Sequence, residues 1–166
     1  DKAPKTIVID PRLKVLKELD FEKSEDMLLE DLKSGSTIVV RIHAARALNS
    51  NKEDKVVEAL AHTLMHDSFW KVQEEAARSL GKIHTDLVKE KLLAAVDHEH
   101  PKVRREVVSQ LGKYHQDEEV FKVLIERFQQ DESIHVIAAA ARSIAQLNLE
   151  KDVFEWLQPG LERESY

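Results

Sequence analysis

The chain has 166 residues, enough for one domain with a substantial hydrophobic core. It is 42% hydrophobic and 34% charged with only four glycines and four prolines, which is typical of a helix-rich protein and excludes the disordered and fibrous classes. The net charge of −6 argues against nucleic acid as a partner, because affinity for phosphates comes from clustered lysines and arginines.

The sequence also limits covalent chemistry and location. There is no cysteine, which excludes disulfides and thiolate zinc sites. No apolar stretch approaches the roughly 20 residues that a membrane span needs, so we expect no membrane partner. The sequence leaves the cellular compartment open. The cytoplasm is slightly favoured, and the alternative is that a leader has been removed ahead of Asp1.

At the N-terminus, the run KTIVID at residues 5–10 is rich in β-branched side chains and predicts a strand. A strand without a sheet is marginal. We therefore expect this segment to be poorly ordered, to pair with another molecule, or to lie along the first helix. Its presence suggests that something β-rich precedes it.

Further along the chain, one pattern occurs four times. The segments VRIHAARALNSN, VQEEAARSLGKI, VRREVVSQLGKY and VIAAAARSIAQL begin at Val40, Val72, Val103 and Val136, at spacings of 32, 31 and 33 residues. Each has Ala or Val four residues after the first valine and Leu or Ile eight residues after it. These offsets trace one face of an α-helix.

A second amphipathic helix precedes each of these segments. We predict these first helices at residues 24–33, 54–66, 86–96 and 118–129, joined to the second helices by the polar turns SGS, HDS, HEHP and QDES. Pro101 suits a first helical turn. Gly81 and Gly112 fall where glycine commonly ends a helix.

The unit is therefore a helix pair with a period near 32 residues, and stacked pairs share a core. The sequence predicts an all-α fold, an α-α superhelix of about four helix pairs. A fifth helix at about 151–162 would act as a cap.

The stretch DSFWKVQEEAARSLGKI at residues 67–83 resembles the second-helix motif of HEAT-like repeats. A narrower resemblance lies in IVIDPRLKVLKELDFEKSEDMLLEDLKSGSTIVVRIHAARAL, residues 7–48. This run is similar to a domain junction in the aminopeptidase N family of zinc metallopeptidases, where a β-sandwich is followed by a linker and HEAT-like helices. The resemblance implies that residues 1–20 are a remnant strand and linker, and that residues 21–166 are the HEAT-like domain.

The resemblance implies architecture and not catalysis. In that family a helical HExxH motif and a distant Glu hold the zinc, and a GAMEN-type loop binds the substrate amine; this chain has neither. Its His98-Glu99 pair is followed by His100 and Pro101, without a second His one helical turn on. A TBP-associated factor has a related layout without peptidase activity, so the parent could also be a pseudo-enzyme.

Other candidate metal and acid–base sites favour structural interpretations. His62 and His66 have the i, i+4 spacing of a metal-binding pair but no third ligand beside them in sequence. The pairs Glu74-Glu75 and Glu118-Glu119 do not converge, since adjacent helical positions point about 100° apart, and we interpret both as solvated. The His-Glu pairs of deoxyhypusine hydroxylase, a HEAT-like metalloenzyme, have no counterpart here. We expect no catalytic residue, no metal and no cofactor in this chain.

The candidate groove or interface residues are four arginines and two aromatics: Arg46, Arg78, Arg104, Arg142, Phe69 and Trp70. For Arg104, as for Arg41, the alternative is a structural ion pair with an acid of a turn, such as Asp67. Phe69 and Trp70 could instead seal the gap between repeats.

Two functions remain open. In the first, the chain is the non-catalytic C-terminal domain of an aminopeptidase N-like protein that shapes or gates the substrate cavity and packs on upstream domains. Zinc is then expected only in the missing catalytic domain. In the second, it is a free-standing HEAT-repeat scaffold that binds a protein or peptide segment.

Overall fold

The structure is a computed structural model that describes residues 4–11, 14, 21–147 and 157–158. The regular secondary structure of these residues is helical, with eight α-helices and no strand. The helices fall into two compact units that meet in sequence between Thr85 and Asp86. The predicted all-α fold built from four helix pairs is confirmed for the described part of the chain.

The first unit contains two helix pairs. They are α1 (Glu25–Ser34) with α2 (Ile38–Ala47), and α3 (Asp54–His66) with α4 (Trp70–Ile83). Helix α2 packs against both α1 and α4, and α3 packs against α4 and α1. The core comes from the apolar stripes that the repeat pattern predicts, including Ala44, Leu48, Leu60, Leu64, Val72, Ala76 and Leu80.

The second unit repeats this arrangement with other side chains. Its pairs are α5 (Asp86–Ala94) with α6 (Pro101–Leu111), and α7 (Glu118–Gln130) with α8 (Ile134–Gln146). Helix α8 packs against both α6 and α7. Its fully buried apolar side chains include Val88, Leu92, Val103, Val107, Leu111, Leu124, Val136, Ala140 and Ile144.

The helices begin where the repeat pattern and the capping side chains place their first residues. Each second helix begins two residues before its repeat valine. Ser24 and Asp117 accept hydrogen bonds from backbone N–H groups at the starts of α1 and α7, and Thr37 does so for α2, which satisfies donors that lack a partner within the helix. Helix α5 is two residues shorter than predicted. Of the predicted fifth helix the structure describes residues 157–158, which are helical.

Gly112 directly follows the last residue of α6, as predicted for a helix stop, but the reason for glycine there is not the predicted one. Gly112 follows α6 at a φ of −59°, a conformation open to any residue, so backbone freedom does not explain it. A Cβ at this position would lie 2.6 Å from the Cβ of Ser143 on α8. Glycine is required because α6 and α8 approach each other closely there. Gly81 lies within α4, which continues to Ile83.

The N-terminal segment lies against the first helix pair. Thr6 Oγ1 donates a hydrogen bond to the buried Asp31 of α1 at 2.6 Å, and Lys23 Nζ forms an ion pair with the same carboxylate. Thr37, the N-cap of α2, donates from Oγ1 to the carbonyl of Pro11 at 3.1 Å. Of the three possibilities that the sequence left open for this segment, it lies along the first helix.

Candidate partner-binding site

An arginine of the second helix in the first pair of each unit binds an aspartate in the turn of the next pair. In the first unit, Arg41 Nε and Nη2 donate to the two carboxylate oxygens of Asp67 at 2.7 and 3.1 Å. In the second unit, Arg104 makes the same two bonds to Asp131 at 2.8 and 3.0 Å. We call each of these an arginine clamp. The structural ion pair predicted for Arg41 is confirmed, and Arg104 forms its counterpart.

Each clamp also fixes the turns at both of its ends. Arg41 Nη1 donates to the carbonyl of Gly35, and Arg104 Nη1 donates to the carbonyls of His98 and Glu99. Burial alone would raise the pKa of Asp131, but bonds from Arg104 and from the Ser133 N–H outweigh it and hold that pKa below its usual range. The clamps are therefore parts of the scaffold.

A second charged cluster lies on α2 and α4 of the first unit, where the carboxylates belong to a helix and not to a turn. Glu75 receives bonds from Arg46 at 2.8 Å (Nε to Oε1) and 2.9 Å (Nη2 to Oε2). Arg78 lies 3.3 Å from Glu75 and 3.2 Å from the adjacent Glu74, whose other oxygen is 2.6 Å from Lys71 Nζ. We call these five residues the α2–α4 cluster.

The cluster buries its anions and exposes its cations. The Glu75 side chain is 4% exposed, whereas that of Arg46 is 53% exposed. Burial would raise the pKa of Glu75, but Arg46 and the neighbouring cations bring it below its usual range. The same hydrogen bond raises the pKa of Arg46. Three cations on two carboxylates leave a surface with one net positive charge.

Arg46 is the side chain of this cluster best placed to bind another molecule. A guanidinium has five N–H donors in a rigid plane. Glu75 occupies Nε and one N–H of Nη2, and Nη1 has no partner within the described residues. The buried carboxylate therefore fixes the orientation of the guanidinium and leaves one edge of it available to an acceptor.

The interpretation of Glu74 and Glu75 as a solvated pair is wrong, because both side chains are buried. The repeat offsets contained the signal, since Glu75 is three residues after Val72 and so lies beside the apolar stripe. Glu118 and Glu119 are exposed as predicted.

The comparisons with known proteins agree with this architecture. A family model of HEAT repeats matches residues 25–99 and residues 89–166. The chain belongs to the HEAT-repeat family. HEAT repeats are helix pairs of the α-α superhelix class, so the predicted fold class is confirmed.

Among solved structures, this HEAT-repeat chain is similar to a chain in the complex of CpcE and CpcF of phycocyanin lyase from Nostoc sp. PCC7120. The two share 20% sequence identity with a TM-score of 0.54, over 81% of this chain and 69% of that chain. At this identity the likeness shows the fold alone. No curated protein matches the chain. Neither match points to the aminopeptidase N family.

The remaining candidates lie apart from the cluster or at its edge. Arg142 on α8 is exposed and has no ion pair within the described residues. Phe69 and Trp70, at the start of α4, are both partly exposed, with ring centroids 5.7 Å apart. Lys71 of the cluster lies over the Trp70 ring at 5.7 Å, so this aromatic pair borders the cluster.

The described part of this HEAT-repeat chain has no group of three or more potential metal ligands. None of its helices is long and apolar enough to cross a membrane. What the α2–α4 cluster offers is recognition of an anionic group by oriented arginine donors.

Proposed function

We propose that this HEAT-repeat chain is a non-catalytic scaffold that binds a segment of another protein. The observation that carries the proposal is the Arg46 guanidinium, which is fixed on buried Glu75 and exposed on its other edge. Arg78 contacts the same carboxylate and places a second cation beside it. In this proposal the two arginines bind a carboxylate of the partner segment.

The N–H donors of Arg46 are oriented before a partner binds, which favours binding. A mobile surface arginine loses side-chain entropy when it binds, which offsets much of the gain. Arg46 has already lost that freedom, because two of its nitrogens are bound to Glu75. Its remaining edge can form the charge-assisted hydrogen bonds that make arginine a good ligand for carboxylates.

The comparisons support a role in binding. The family is one of helical repeats that present extended surfaces to partners. The similar solved structure is itself a complex of two different chains, CpcE and CpcF.

The test starts with peptides displayed on phage and selected against the full chain. We expect the selected peptides to be rich in Asp and Glu. Against one such synthetic peptide, Arg46→Ala should raise Kd about tenfold, the size of a modest hot spot. Arg142→Ala, which removes another exposed arginine, should stay within about twofold of the wild type. Selected peptides without acidic residues, or equal effects of the two variants, would contradict the proposal.

The resemblance to aminopeptidase N enzymes gives a finer form of this proposal. In that form the partner is an upstream domain of the same polypeptide, or the end of a substrate bound there. The outward-facing Ile7 and Ile9 of the N-terminal segment favour it, because they would suit packing against a preceding domain. Sequencing the gene upstream of Asp1 tests this form. An HExxH motif with a downstream Glu would support it, and a frame that begins just before Asp1 would overturn it.

A further inference from the structure

In the first unit, away from the α2–α4 cluster, a groove lies between α1 and α3. The groove has a cavity of about 480 Å³, within the range of ligand-binding clefts. Its apolar floor is formed by Leu29 and Leu32 of α1 and by Ala59 of α3. Leu32 is buried, while Leu29 and Ala59 are partly exposed, so the floor is open to an apolar side chain from outside.

Basic side chains surround this floor. Lys33 lies at the end of α1, and Lys55, His62 and His66 lie on α3. All four are exposed. The acidic residue among the lining side chains is Asp67, whose carboxylate is bound by Arg41. A chain with a net charge of −6 therefore has a locally basic groove.

Some basic side chains of the groove already form ion pairs with carboxylates of this chain, and others do not. Lys55 forms ion pairs with Glu25 and Glu53. Lys33, His62 and His66 have no ion pair within the described residues. The imidazole rings of His62 and His66 lie 4.8 Å apart and are tilted by 58°. Lys33 and the two histidines are thus the groups with which an anionic ligand would interact.

We propose that the α1–α3 groove binds an acidic peptide segment that carries a large aliphatic side chain. The aliphatic side chain enters the cavity and contacts Leu29, Leu32 and Ala59. Acidic residues on either side of it contact Lys33 and the two histidines. The pairing follows from charge complementarity: the rim is basic and the floor apolar, so the partner is acidic around one apolar residue.

The experiment is an NMR titration of the ¹⁵N-labelled full chain with the capped synthetic peptide EELEEL. The peptides KKLKKL and EEGEEG serve as controls for charge and for the aliphatic side chain. We expect EELEEL to shift amide signals of α1 and α3, and to bind more tightly than either control peptide. Shifts confined to α2 and α4, or tighter binding by either control peptide, would overturn the proposal.

Two charge reversals provide the matched test. Lys33→Glu changes the rim, and Lys52→Glu makes the same change of net charge at an exposed lysine outside the groove. We expect Lys33→Glu to weaken binding of EELEEL about fivefold and Lys52→Glu to leave it within about twofold. Equal effects of the two lysine variants would show that only overall charge matters and would contradict the site.

Discussion

The two units have the same scaffold and differ in the surface of their second helices. Both have an arginine clamp with the same three donor nitrogens, Arg41 on Asp67 and Arg104 on Asp131. At the positions of Glu74 and Glu75 in α4, the α8 helix of the second unit has Ala138 and Ala139. At the position of Arg46, helix α6 of the second unit has Ser109, whose hydroxyl donates to the carbonyl of Arg105.

This difference separates structural residues from candidate functional ones. A feature that occurs in both units is needed to join one helix pair to the next. A buried pair of adjacent carboxylates with arginines above it occurs only in the first unit among the described residues. The equivalent positions of α8 are the exposed Ala138 and the buried Ala139, so a second helix does not require carboxylates there. Charged groups are costly to bury unless they are paired. A function that uses the oriented Arg46 accounts for that cost.

The largest expected effect is on the clamps. Arg104→Ala leaves Asp131, whose side chain is 1% exposed, without its cation, and removal of one partner of a buried pair typically costs about 3 kcal/mol. Arg41→Ala should cost somewhat less, because Asp67 is 7% exposed. Urea denaturation of both variants measures this. If neither variant lowers the free energy of unfolding by more than about 0.5 kcal/mol, the clamps are not structural.

The contact between α6 and α8 should respond to Gly112→Ala. The added methyl group would lie 2.6 Å from Ser143 Cβ, so the two helices must move apart, at a cost of about 2 kcal/mol. Thermal unfolding followed by circular dichroism measures the change. A variant as stable as the wild type would show that the helices do not approach as closely as the structure has them.

An intermediate effect is expected from His98 in the α5–α6 turn. Burial lowers the pKa of this imidazole, and its Nδ1 accepts a hydrogen bond from the His100 N–H at 3.0 Å. A lowered pKa favours protonation of the unfolded chain, so the stability that His98 contributes is present above about pH 6.5 and is lost as the pH falls toward the folded-state pKa.

The control for this prediction is His98→Asn, which can still accept the hydrogen bond but does not titrate. Urea denaturation between pH 7 and pH 5 should show a smaller loss of stability for His98→Asn than for the wild type. Buried carboxylates such as Asp131, whose pKa is lowered, act below about pH 4 and do not overlap with this range. Equal slopes for the two proteins would contradict the assignment.

The smallest effect is expected at Arg142. It is exposed and has no ion pair within the described residues, so Arg142→Ala should change the free energy of unfolding by less than about 0.5 kcal/mol. Urea denaturation checks this value. A larger loss would mean that the exposed arginine of α8 is structural after all.

Much of the fold was predictable because each HEAT helix pair repeats the same pattern of apolar positions and polar turns. The valine spacing located all four second helices to within two residues, and the polar turns located the first helices. The site was harder to predict, since Glu74 and Glu75 are of a residue type that is usually exposed, yet both are buried in the folded chain. Arg46 and Glu75 are 29 residues apart and lie at different offsets of successive repeats, so the sequence does not by itself reveal their bond.

In the proposed function Arg46, oriented by Glu75, binds a carboxylate of a partner. The most direct measurement is an NMR titration of arginine Nε–H signals in the full chain with a phage-selected acidic peptide. We expect the Arg46 signal to shift and to saturate with the bound fraction, the Arg104 signal to stay fixed in its clamp, and Arg46→Lys to weaken binding. A bound peptide that leaves the Arg46 signal unchanged would contradict it.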